Sequence, residues 1–275
     1  MDVNTVGLVA QKELRDALRN RWFGLYTLTF VALALGLSYL ALSGVGFSGF
    51  AGFGRTAAGL INLTLLVVPL MALTVGATSL AAERERGTLA YLLAQPVSRA
   101  EVVAGKYLGL GAALLASLAA GFGLAGLALG LRGGAGDATI YLVQLGLAFL
   151  LALAALSIGF LISAMTERGA AAVGIALFLW LLFVFLGDLG MMGTAITMKL
   201  DISQLFWLAM TNPLQVFKLA AILNLQSTLE ILGPVGTFAR RTYGSDLLPL
   251  LLTTLVAWVL MPLGLAFWRF TRKDI

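Results

Sequence analysis

Six long apolar stretches leave this chain few ways to fold: residues 22–43, 57–80, 107–131, 140–165, 170–191 and 247–268. A helix needs ~20 such residues to cross a ~30 Å hydrocarbon core, and each stretch reaches that length. Lipid offers no partner to an open backbone group, and no period-two alternation of a β-barrel is visible, so each crossing is helical. The expected fold class is therefore an all-α membrane protein with six transmembrane helices, forming one membrane domain over residues 1–275. Composition agrees: 60% of residues are hydrophobic and 11% charged, against about 45–50% and about 25% in soluble domains.

Six crossings put both termini on one side, and charge selects that side. With the termini inside, the inner Lys and Arg are Lys12, Arg15, Arg19, Arg21, Arg84, Arg86, Arg99, Lys106, Arg168, Arg269, Arg272 and Lys273. Outside remain Arg55, Arg132, Lys199, Lys218, Arg240 and Arg241, four of them in one long segment where the rule is weak. The expectation is a multi-pass protein of the bacterial inner membrane with both termini cytoplasmic. The same basic flanks account for the pI of 9.7 without a nucleic-acid partner. No short apolar core with a small-residue cleavage site opens the chain, so no signal peptide is expected.

Two segments flank the spans. In residues 1–21, Val6, Ala10, Leu14, Ala17 and Leu18 recur at helical spacing, with Lys12, Glu13, Arg15, Asp16 and Arg19 assigned to the other face. This predicts an amphipathic helix lying in the lipid interface. Residues 192–246 form a long outer, periplasmic segment. In it Asn212-Pro213 reads as a cap followed by proline in the first turn, and Leu214, Phe217, Ala221 and Leu225 mark an apolar stripe. A second interfacial helix packed on the outer surface is expected there.

The chain has no cysteine and no histidine. That removes disulfides, thiolate and imidazole chemistry, and the commonest transition-metal ligands. Met191, Met192 and Met198 cluster at the outer end of the fifth stretch, but nothing soft completes a Cu(I) site and no metal ligand is assigned. Ion and proton pathways need ionisable groups at depth; Asp188 is the one candidate, near the outer end of the same stretch. Asn62 and Gln144 suit hydrogen bonds between helices, and Pro69 and Pro262 predict kinks.

The loop at residues 83–99 is different. Glu83-Arg84-Glu85-Arg86 ends the second span, and Gly87 permits termination. Leu89, Leu92 and Leu93 then give a short helix one apolar face, Pro96 stops it, and Ser98 with Glu101 forms a capping box for the next helix. Two readings follow: a loop resting on lipid headgroups, or a coupling helix seated in a groove of a cytoplasmic partner. Charges of both signs around apolar anchors favour a protein groove over anionic lipid.

These residues carry a resemblance. Glu83 or Glu85, Gly87-Thr88-Leu89, Leu92-Leu93, Pro96, Ser98-Arg99 and Gly105-Lys106 are similar to the coupling loop of type-two ABC exporter permeases. Lys12-Glu13-Leu14, Leu18 to Trp22, Pro69-Leu70, Asn212-Pro213 and Trp268 to Arg272 extend the likeness over the chain. Within that class it most resembles the branch that serves copper-site maturation of nitrous oxide reductase. The resemblance implies a homodimer in membrane lipid, a cytoplasmic ATPase dimer, a periplasmic accessory protein of β-helical fold and an apo-reductase client. No G-x-x-x-x-G-K-[ST] loop is present, so ATP and Mg would be bound by the partner, and the chain has no catalytic residue of its own. The implied ATPase interface is Glu83, Arg84, Glu85, Arg86, Gly87, Leu89, Leu92 and Leu93. The implied periplasmic-partner interface is Asn212, Pro213, Phe217 and Lys218. Other cargo stays open, because Asn62, Thr64, Thr74 and Gln144 suit a path for a lipid, drug or sulfur species between two copies. A stand-alone secondary transporter is disfavoured by the scarcity of buried charge.

Overall fold

The computed structural model describes residues 2–43, 50–130, 138–187, 201–224 and 233–272, and within them every regular element is a helix. Asp2 caps α1 (Val3–Arg19) by accepting the Asn4 N–H. Asn20 breaks the chain in an extended conformation and caps α2 (Arg21–Ser43) through the Trp22 N–H at 2.9 Å. Then follow α3 (Phe50–Glu85), the short α4 (Thr88–Leu93), α5 (Arg99–Gly130), α6 (Ala138–Met165) and α7 (Gly169–Phe185). The chain closes with α8 (Ile202–Met210), α9 (Pro213–Asn224), α10 (Gly233–Tyr243) and α11 (Leu247–Arg272).

Among the described residues, five helical segments are long and apolar enough to cross a membrane: α2, α3, α5, α6 and the segment ending in α11. The expected fifth span differs. Its described α-helix has 17 residues, about 25 Å at 1.5 Å per residue, and is not among the helices that reach spanning length within the described residues. Its end, with Asp188, Met191, Met192 and Met198, lies outside the described residues. Near its last described turn stands a broken pair of helices, α8 and α9, bent by 108°. Asn212, at the corner, donates to the Phe183 carbonyl of α7 at 2.7 Å, and Trp258 of α11 donates to Met210 at 3.2 Å. Phe183 and Trp258 are each 14 residues from the far ends of their helices, about 21 Å along the axis. The corner therefore dips into the bundle. The apolar stripe of α9 does not rest on an outer surface as expected: Leu214, Phe217 and Ala221 are buried, as are most residues around them, while Leu225 lies outside the described residues. Burial all round marks a helix inserted among others rather than laid on top.

The core is centred on α3 and α6, which run side by side in one direction. Ser163 Oγ accepts the N–H groups of Leu80 at 2.9 Å and Ala81 at 2.8 Å. One turn away Gly76 faces Gly159, and a Cβ on Gly76 would lie 2.7 Å from the Leu156 carbonyl oxygen. Small residues let two backbones touch, which is how helices associate where no hydrophobic force separates them from lipid. Both chain ends meet at one end of the bundle: Asp2 N–H donates to Glu101 at the start of α5, and Arg99 donates to the Phe270 carbonyl of α11.

Gly76→Val should force α3 and α6 apart and cost about 1–3 kcal/mol. The check is a lower thermal unfolding midpoint in detergent than that of Thr253→Val, an exposed control on α11.

Candidate functional site

The charged run is helix, not loop. Glu83, Arg84 and Glu85 form the last turn of α3, so the irregular segment begins only at Arg86. Neighbours on a helix point about 100° apart, and these three reach three different elements. Glu83 Oε1 accepts from Lys106 Nζ of α5 at 2.8 Å. Arg84 Nη1 donates to the Ser163 and Thr166 carbonyls at the end of α6, a cation where the helix dipole favours one. Glu85 Oε2 accepts the Gly169 N–H at 2.8 Å. Gly169 opens α7, whose own N-cap residue Arg168 provides no side-chain bond, so α3 caps α7 from outside. Arg86 turns back on Ala82 O at 3.0 Å and stays exposed.

Gly87 adopts φ 74°, a left-handed conformation that costs glycine little, and turns the chain into α4. Leu89 is fully buried and fastens α4 to α3. Leu92 is partly buried, and the Leu93 side chain lies outside what is described. Tyr91 stands 75% exposed on the other face. The predicted capping box is present: Ser98 N–H donates to Glu101 Oε2 at 2.9 Å and Glu101 N–H to Ser98 Oγ at 3.3 Å. A six-residue helix is thus suspended between two spans whose ends are fixed.

Behind it lies an ion cluster that the sequence reading missed. Lys106 is fully buried, with Nζ 2.7 Å from Glu13 Oε1 and 2.8 Å from Glu83 Oε1. Lys12 adds a second cation, 3.3 Å from Glu13 and 3.9 Å from Glu83. Burial pulls the Lys12 ammonium down, but the Glu13 and Glu83 carboxylates outweigh it and hold it above its usual value. Glu13 reaches Lys106 because α1 lies unusually close to α5. A Cβ on Gly105 would fall 2.6 Å from Val9 Cβ, and one on Gly109 would collide with the Ala10 carbonyl. The apolar stripe of α1 is therefore turned largely to α5, with Ala17 buried, Val6, Ala10 and Leu14 half-buried, and Leu18 still exposed. Glu13 belongs to that buried face, not to the charged one: Val9, Glu13 and Ala17 follow at four-residue spacing and are all buried. The signals were available in Gly105 and Gly109, four apart around a lysine, and in a glutamate in phase with an apolar stripe.

Of the residues expected at an ATPase, Leu89 is buried, Glu83 and Arg84 are half-buried and bonded to neighbouring helices, and Glu85 is exposed although it bonds Gly169; Arg86 and Gly87 are exposed and Leu92 is half-buried. Tyr91, not singled out from sequence, is the large exposed side chain of α4. Of those expected at an outer partner, Asn212, Pro213 and Phe217 are buried and Lys218 is partly buried. Asn212 does cap α9 as predicted, accepting the Leu214 N–H at 3.0 Å. These residues hold the corner of the broken pair together. Among the described residues, the exposed charges of the outer segment are Asp201 before α8, Arg240 and Arg241 on α10, and Asp246 just before α11.

A bundle of membrane-crossing helices with a short helix slung between two spans, at the end where both termini meet, has the form of a transporter's membrane subunit. The chain belongs to the ABC-2 family of transporter proteins, whose family model matches residues 8–275. It is 31% identical to a relative from Stutzerimonas stutzeri, over 98% of this chain and 99% of that one. It is 32% identical to one from Pseudomonas aeruginosa, over the same shares. Both relatives are called probable ABC transporter permease protein NosY. The chain is thus a multi-pass permease subunit of an ABC transporter, and membership implies a separate ATPase partner.

Lys106→Met should leave two carboxylates facing each other without their buried counter-charge, a loss of about 3–5 kcal/mol. A fall in the unfolding midpoint of the purified permease, larger than for Lys12→Met at the exposed edge of the cluster, is the expected reading.

Proposed function

We propose that this permease forms a homodimer in the bacterial inner membrane, with both termini cytoplasmic. In this reading it transmits ATP hydrolysis by a cytoplasmic ATPase dimer to copper-site maturation of nitrous oxide reductase in the periplasm. The observation that carries it is the mounting of α4. A helix with a buried leucine on one side and an exposed tyrosine on the other sits on three consecutive side-chain ties to α5, α6 and α7. A push on α4 is delivered to three helices at once. Full-length likeness to two relatives called NosY supports the copper-maturation branch.

The contact with the ATPase is assigned to the exposed Arg86 and Tyr91 of this segment, with the half-buried Leu92 beside them. Glu83, Arg84 and Glu85 act behind them as the mount. The periplasmic accessory protein is assigned to the outward side of α8 and α10, where Trp207, Arg240 and Arg241 are exposed. Copper itself is not conducted by this chain in our reading. The sequence has neither Cys nor His to ligate it along a path, and the metal would be handled by the periplasmic partners.

A second reading, movement of an amphiphile, has one observation in its favour. A cavity of about 750 Å³ lies between α1, α2, α3, α5 and α7, with Trp22, Phe23 and Tyr26 beside the hydroxyls of Thr74, Thr78 and Ser79.

Tyr91→Ala should weaken ATPase binding by about 2 kcal/mol, roughly thirtyfold in Kd, if Tyr91 is the anchor of the contact. Co-purification and a binding titration check this, with the unfolding midpoint of the permease unchanged. Charge reversal at Glu83 or Glu85 should instead lower that midpoint. For the copper reading, proteoliposomes with permease and ATPase alone should show no ATP-dependent movement of radioactive copper; uptake or efflux would refute it.

A further inference from the structure

Stability does not account for the Lys106 cluster. Buried ion networks rarely outdo apolar side chains of the same volume, and replacing a whole network is often neutral or stabilising. This one is not even fully satisfied: Glu83 Oε2 is buried with no hydrogen-bond partner among the described residues, an expense that an apolar contact avoids. What ions do better than methylene groups is hold one register, as polar residues do in the seams of coiled coils.

The register held here joins α1 to the last turn of α3, which Lys12 also bridges more loosely, 3.9 Å from Glu83. Glu13 belongs to α1, at the N-terminal end of the chain. Glu83 belongs to the turn of α3 immediately before α4. Lys106 stands between them on α5, and both carboxylates meet the same Nζ, at 2.7 Å and 2.8 Å. The glycine notch at Gly105 and Gly109 brings α1 within reach of that ammonium. The opposite side of α1 exposes Arg15 and Arg19, and Lys12 stands half-exposed at the edge of the cluster.

We propose that Lys106 is a positioning residue for energy coupling: through Glu13 and Glu83 it locks α1 to the coupling helix, so that the two move as one body. The proposal rests on the reading of α4 as the ATPase contact. It makes α1 a second arm of the transmission. A displacement of α4 carries the charged surface of α1 with it, and α1 leads through Asn20 directly into α2, the first span. Motion would then enter the membrane through α2 as well as through the three helices tied to the end of α3.

Because the chain has no cysteine, two introduced ones report without background. Spin labels at Gln11→Cys on α1 and Gln95→Cys after α4, both exposed positions, give one distance within the chain. Complexes with the ATPase are diluted with unlabelled permease so that most carry one labelled copy. In the otherwise unaltered chain the distance should stay the same between the nucleotide-free and ATP-trapped states. In the triple variant Glu13→Met, Lys106→Met, Glu83→Met the permease should still fold and bind the ATPase. Its distance distribution should widen and shift on trapping. Glu13→Gln, which keeps the shape and removes the charge, should show a smaller widening and covers the case in which the triple variant does not fold. A distance that changes with ATP in the unaltered chain, or variants that hold it as the unaltered chain does, would overturn the lock. Failure of the ATPase to bind the unaltered chain would instead overturn the coupling-helix reading itself, and shows before any distance is measured.

Discussion

Lys106 brings its buried ammonium to two carboxylates, and the arrangement of the whole terminal end follows from that meeting. The ammonium has to be paired, because a lone buried charge is among the costliest things a fold can contain. Pairing it draws Glu13 of α1 and Glu83 of α3 to the same point on α5. Once Glu83 is fixed, the helical turn directs Arg84 to the end of α6 and Glu85 to the start of α7. One ion cluster thereby orders five helices, and α4 projects from the ordered side.

The spans were legible because lipid imposes a length and a composition that no soluble helix needs. The stretch at 22–43 appears as Arg21–Ser43, and that at 140–165 as Ala138–Met165. Local chemistry was legible too, since caps depend on neighbours in the chain: the Ser98–Glu101 box and the Asn212 cap both formed. What could not be read was the use of charge between elements far apart in sequence. Glu83 and Lys106 looked like solvated residues at a membrane edge, because polarity alone does not distinguish a surface charge from a buried partner. The second span therefore looked five residues shorter at this end than it is, ending at Leu80 rather than Glu85. Likewise α9 has the composition of an interfacial helix, and only the contacts of Asn212, Trp258 and Asn224 show that it is folded back into the bundle.

The two ends of the molecule are built on one plan. Each has a short helix that does not cross the membrane, held by side chains of the helices that do. At the terminal end the holding is ionic and the short helix faces outward with Tyr91. At the other end it is amide and indole hydrogen bonding, and the helix faces inward with Phe217. Between them α3 and α6 touch backbone to backbone at Gly76 and Gly159, a contact too tight to absorb much displacement. Such a core suits a permease that passes movement from one face to the other.

If the charged turn of α3 and the helix after it are a rigid part of the bundle before any ATPase is present, hydrogen–deuterium exchange of the permease alone, in lipid nanodiscs, will show it. Amides from Ala82 to Leu93 should be protected nearly as well as those inside α3, with no gain when the ATPase is added. Exchange at the rate of an unstructured loop, slowing only on ATPase binding, would contradict it and would make the coupling segment an element ordered by its partner.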